Sequence, residues 1–201
     1  MNVLIINKYF LPYKGGVEFH INNLVNNLQS KFDVKVTVVC KKYKDLPKKE
    51  LLNQVKIIRV NSLLEMFNII NDNYSLLHVH MPRNIFTIIS LIIAKIKKIP
   101  IVLTPHCFYQ SKGIKKILLP IFDKIVTKYL LNKMDKVICL TEIDKMDALK
   151  IGIKPEKTII IPNSIDETSL SNINLIDFKK KYDINCEYFL HIGRFHEVKN
   201  M

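Results

Sequence analysis

The sequence has no tryptophan and only 5 glycines in 201 residues. So little glycine excludes a collagen-like or glycine-rich low-complexity chain. The cysteines, Cys40, Cys107, Cys139 and Cys186, stand far apart with no C-x-x-C pair. That excludes a zinc ribbon and a thioredoxin-type motif. Cys40 and Cys139 end apolar runs, where a free cysteine serves as a small core hydrophobe. Acidic residues are scarce too, 18 Asp+Glu against 31 Lys+Arg, a formal charge of +13. A balance that basic suits nucleic acid, an acidic membrane surface or a phosphorylated substrate, and does not choose among them; because Lys and Ile are abundant throughout, codon bias is a second source for it. No long apolar run is present. The most apolar stretch, 85–96, is too short to span a bilayer and is interrupted by Thr87, Ser90 and Lys95. The opening MNVLIINKYF lacks a basic leader, so no signal peptide is expected. The default expectation is a reduced, cytoplasmic, non-spanning protein.

What is present is the composition of a folded chain, 48% hydrophobic and 24% charged. Short β-branched runs at 3–6, 34–39, 55–60, 76–80, 101–104, 137–140, 158–161 and 188–192 are apolar at consecutive positions. Strands buried on both faces of a parallel sheet read this way. Helix-period segments fall between them at 18–30, 85–98, 114–133, 142–151 and 175–182. In the first, Phe19, Ile21, Leu24, Val25 and Leu28 are expected on one face; in the third, Pro120 is a break or kink. Alternating strands and helices predict an α/β domain with a doubly wound, mostly parallel Rossmann-like sheet. The run at 188–192 reads as a fresh strand with no helix after it, so a continuation of the chain is expected.

Four motifs carry chemistry. Gly15-Gly16 follows the first strand and opens an amphipathic helix. Glycines let a ligand approach the backbone, and free N–H groups at a helix start favour anions; a simple tight turn explains the pair equally well. Neither G-x-G-x-x-G nor a Walker A pattern occurs, which argues against a dinucleotide dehydrogenase and a P-loop ATPase. In LLHVHMPRN, His78 and His80 are two apart on a strand and share a face. A metal there would need further ligands; His106 could approach, but no carboxylate cluster accompanies it, and no metal is expected. His80, at the strand's carboxyl end, is expected to look into a cleft. In IVLTPHCFYQ, His106 lies past another strand end in a proline-braced loop, where polar residues meet substrate in this architecture. In HIGRFHEVKN, Arg194 and Lys199 follow a strand and could hold a diphosphate; two solvated surface charges are the plainer reading.

Taken in order, FLPYKGGVEFHINNL, LLHVH, VLTPHCFYQ, DKVICLTEIDKMDALKIGI, KTIIIPNSIDE and HIGRFHEVKN resemble the nucleotide-sugar glycosyltransferases of family 4, which have the GT-B fold. The resemblance implies an N-terminal, acceptor-side Rossmann-like domain at 1–160. It implies an interdomain linker with a short helix at 161–186, and the start of a truncated, donor-binding C-terminal domain at 187–201. It makes His106 the active-site histidine, and Gly15, Gly16, His80, Arg194 and Lys199 donor- or acceptor-binding residues. Cys107 and Ser164 stand where the family commonly has glycine, and the family's paired glutamates would lie beyond Met201. The implied activity is retaining transfer of a sugar from a nucleotide diphosphate to a glycan or lipid-linked acceptor. It would use no cofactor and, there being no D-x-D, no metal. A peripheral anionic membrane, at the inner face of the cell membrane, is an expected partner; nucleic acid is not. The other open reading is a non-catalytic α/β module that docks acidic lipid or a protein partner.

Overall fold

The structure is a computed structural model that describes residues 1–43, 45–71, 73–81, 84–106, 128–164 and 175–191. The chain divides into two compact units, Met1–Ser164 and Ile165–Met201. The first is built on an eight-stranded sheet. Its strands are β1 (Asn2–Ile6), β2 (Lys35–Lys41), β3 (Lys49–Leu52), β4 (Val55–Val60), β5 (Leu76–His80), β6 (Ile101–Thr104), β7 (Lys136–Cys139) and β8 (Thr158–Ile160). The spatial order is β3-β4-β2-β1-β5-β6-β7-β8, and every pairing is parallel except the edge pair β3–β4. Helices α1 (Gly16–Phe32), α2 (Leu63–Ile69), α3 (Ile85–Ile96), α4 (Lys128–Leu131) and α5 (Glu142–Lys150) make crossings between strands.

Strand periodicity sorts the core into two layers. Val3 and Ile5 of β1 join Val36, Val38 and Ile57 under α1, which contributes Ile21 and Val25. Leu4 and Ile6 point the other way, to Met66 of α2, Leu91 and Ala94 of α3 and Ala148 of α5. A sheet covered on both faces is the doubly wound α/β arrangement that the consecutive apolar runs predict. β1 lies between β2 and β5, with the chain winding outward from it in both directions. The carboxyl ends of β1 and β5 therefore flank the topological switch point, where open α/β sheets bind ligands.

The structure departs from the pattern in several places. Phe19 does not join the buried face of α1; it is exposed, because the stripe through Glu18, Ile21 and Val25 takes the sheet side. Strand β3 and helix α2 were not foreseen. β3 has the sequence KELL and takes its strand form from its antiparallel ladder with β4. α2 is capped by Ser62, whose Oγ accepts from Glu65 N (3.2 Å), while Glu65 accepts from Asn61 N (2.8 Å). Most of the helix expected at 114–133 lies outside the described residues, which show only α4 within it.

In the second unit the described residues form α6 (Leu175–Lys181), and those after it, to 191, belong to no helix or strand. The strand expected at 188–192 does not form over Tyr188–His191, and Phe189 and Leu190 are exposed. A strand needs a neighbouring ladder, and the described part of this unit offers none; Ile192 lies outside it. Among the described residues no helix is long and apolar enough to cross a membrane.

Candidate functional site

Alternation along the strands decides which side chains reach the switch point beneath α1. Leu77 and Val79 of β5, and Ile101 and Leu103 of β6, face the α2–α3 layer. His78, His80 and Thr104 consequently face the α1 layer, as Asn7 does beyond Val3 and Ile5. α1 runs over this surface and brings His20 to it.

Four imidazoles gather there. His78 and His80 share a side, as their spacing predicts, with ring centroids 4.3 Å apart. His78 has the interior, hydrogen-bonded role, its Nε2 2.8 Å from Thr104 Oγ1. His80 is fully buried, its Nδ1 2.8 Å from His106 Nε2. It therefore meets the cleft through its neighbours, and its own Nε2 has no hydrogen-bond partner. His106 and His20 are half-buried. The His20 ring stands edge-on, 5.0 Å from His106 and 5.7 Å from His80.

Burial holds all four imidazoles in the neutral form. It lowers His78 to about 3 and His106 to about 4, and holds His80 well below the ordinary value. His20 is also lowered by burial, against the upward pull of a hydrogen bond with Asn163. His106 has φ 64°, in the left-handed region, and so does Met81 at the end of β5, with φ 53°. Left-handed backbone at a non-glycine residue is strained and clusters at functional sites. Here it follows Pro105 and turns the His106 ring back over His80.

At the start of α1, Phe19 N–H donates to the Gly15 carbonyl (3.0 Å), and Gly15 has no side chain to cap the helix. A Cβ at Gly15 would run into the carboxylate of Glu18; one at Gly16 would meet open space. Glu18 is buried and accepts from Asn7 Nδ2 (3.2 Å), while Asn7 Oδ1 lacks a hydrogen-bond partner. The anion closest to Gly15 is thus the protein's own, and Gly16 is the open position. Arg194, Lys199 and Cys107 lie outside the described residues.

The rim carries aromatic rings. Tyr9 and Tyr13 stack with centroids 4.8 Å apart, and Tyr43, beyond β2, meets them edge-on at 6.0 and 6.2 Å. Arg59 secures this loop from below, donating to the Leu11 carbonyl (2.8 Å) and the Pro47 carbonyl (3.0 Å) and pairing with Glu50 (2.7 Å). Sequence reasoning singled out Gly15, Gly16, His80 and His106 but missed His20, Asn7, Glu18 and the tyrosines. The usable signal was position: all but Tyr43 lie on the strand-to-helix passage from β1 into the first turns of α1, beside the switch point.

Ligands of open α/β sheets bind in such a place. The model of Glycosyltransferase Family 4 matches residues 14–169. The chain belongs to that family. Its fold is shared with sucrose-phosphate synthase from Thermosynechococcus elongatus (13% identity, TM-score 0.66, 91% of this chain and 52% of that one). It is also similar to Anabaena HepE in complex with UDP-glucose (16%, 0.66, 91% and 49%), and to a glycosyltransferase from Rickettsia africae (16%, 0.66, 92% and 50%). The chain thus spans about half the length of these structures. A comparison with curated proteins found no match.

Proposed function

We propose that this chain supplies the acceptor-side wall of a retaining glycosyltransferase that moves a sugar from a nucleotide diphosphate to a glycan or lipid-linked acceptor. The observation that carries the reading is His106, a neutral imidazole on left-handed backbone at the switch point of a family 4 domain. Its Nε2 is engaged by His80, so Nδ1 is the atom left for substrate. A neutral imidazole there can hydrogen-bond a sugar hydroxyl without adding charge beside the diphosphate. In a retaining transfer the acceptor hydroxyl attacks from the face the diphosphate leaves, and its proton passes to the departing phosphate oxygen. The bond formed is acceptor oxygen to anomeric carbon; the bond broken is anomeric carbon to phosphate oxygen. Positive groups that would stabilise the leaving diphosphate are Arg194 and Lys199, by their resemblance to the family's pair. Neither a cofactor nor a metal takes part in this scheme.

Tyr9, Tyr13 and Tyr43 offer an aromatic face to the acceptor's sugar rings, with Tyr13 and Tyr43 exposed. The basic chain would work at the inner face of the membrane, where a lipid-linked acceptor is presented. The test is transfer of label from nucleotide diphosphate-sugars to extractable glycan and lipid by the complete gene product. His106→Ala is expected to lower turnover by about 10²–10³ in a protein that still folds. Near-normal turnover in a folded His106→Ala protein would make His106 structural and overturn the assignment. Failure of every donor to label any acceptor would leave the binding-module reading.

A further inference from the structure

We infer that His20, His80 and His106 form a binding site for a divalent transition-metal ion, Zn²⁺ above all. The inference goes beyond the transferase reading and does not depend on it, since the ion is a ligand here and no part of the transfer scheme.

The geometry is that of a three-nitrogen site. Each histidine offers one ring nitrogen, and the three nitrogens lie within 4.8 Å of one another. Zinc–nitrogen bonds of about 2.0–2.1 Å in a tetrahedral set put the nitrogens about 3.3 Å apart and the ring centroids about 5.2 Å apart. The centroids here are 5.0, 5.1 and 5.7 Å apart. Placing an ion needs only the 2.8 Å contact between His80 and His106 to open slightly and His20 to approach. The rings come from three separate elements: α1, the end of β5 and the loop after β6. The sheet and the helix packed on it hold them together before any ion arrives.

His80 is the fixed member of the set, fully buried at the end of β5. Burial keeps the imidazoles neutral, so each has a lone pair to give at neutral pH without losing a proton. Three imidazoles and no carboxylate suit Zn²⁺, Ni²⁺ or Cu²⁺ and are a poor set for Mg²⁺ or Ca²⁺. His20 and His106 are half-buried, which leaves a way in and an open fourth position.

The 201-residue chain, stripped with chelator, is titrated with Zn²⁺ against a chromophoric chelator. One bound equivalent is expected, undisturbed by excess Mg²⁺. His20→Ala and His106→Ala should each weaken binding by about tenfold or more, and His191→Ala, at an exposed site, should leave it unchanged. Zinc absorption spectroscopy on the wild-type chain should show three imidazole nitrogens at about 2.0 Å. That measurement decides the matter even if a variant fails to fold. No bound equivalent, binding retained in both variants, or a sulfur in the zinc shell would overturn the site.

Discussion

Grouping four imidazoles in one buried pocket ties stability to pH. His78 is held near 3 and His106 near 4, chiefly by burial, whereas the ordinary value is 6.5. Below pH 6.5 the unfolded chain takes up protons that the folded chain refuses. Stability that is complete above pH 6.5 therefore drains as the pH falls toward 4 and then 3. At about pH 4.5 the loss is on the order of 2–3 kcal/mol for a histidine that stays neutral. Thermal melts of the metal-free chain between about pH 7.5 and 4.5 should show it. His78→Asn, which keeps a polar partner for Thr104, is expected to flatten the dependence. Equal slopes in the two proteins would mean that His78 titrates normally. The residue pattern showed part of this cluster. The H-x-H spacing placed His78 and His80 on one face, and the strand end placed His106. His20 escaped because its arrival depends on which face α1 covers, a tertiary fact that no local period carries.

Elements were legible where one physical rule governed them. The parallel strands are runs of β-branched residues buried on both sides, and β4, β5 and β6 begin and end at the positions their sequences mark. α2 was overlooked although S-x-x-E, Ser62 to Glu65, signals a helix start. β3 was unreadable, because KELL has no strand propensity of its own and its state is set by its partner. What that edge contributes is Glu50, the counter-charge for Arg59. The Arg59 side chain is 1% exposed, and it joins β4 both to the loop before β3 and to the tyrosine-bearing loop after β1. Removing the guanidinium strands two carbonyls and a half-buried carboxylate. Arg59→Met is therefore expected to cost about 2–4 kcal/mol in denaturant unfolding. Glu50→Gln keeps an acceptor for Arg59 and should cost less. Equal, small losses in both variants would show that the buried pair does not hold the loop.

On the scale of the whole molecule, the formal charge of +13 acts together with apolar surface. α2 exposes Leu63, Leu64 and Phe67, and α3 exposes Ile85, Ile92 and Ile96. The two helices pack on the same core layer and touch through Lys97, whose Nζ lies 4.0 Å over the Phe67 ring. Lys95 and Lys98 lie at the same end, and both are exposed. A helix that is apolar on its outer as well as its inner face is poorly served by water. Lysines beside such a face suit an anionic bilayer, each being worth about 1 kcal/mol near the surface and less as salt rises. The expected mode is weak, reversible and peripheral, since among the described residues no helix can span. The lysine-rich segment at 111–136, whose apolar residues recur at near-helical spacing, also suits this role but lies mostly outside the described residues, so α2 and α3 carry the physical case. In vesicle sedimentation the chain should pellet with anionic but not with neutral lipid, and high salt should release it. Phe67→Ser with Ile96→Ser should weaken pelleting while leaving the melting curve close to that of the parent. Equal recovery in the supernatant with both lipids would end the membrane reading, and pelleting indifferent to the paired substitution would move the contact to another surface.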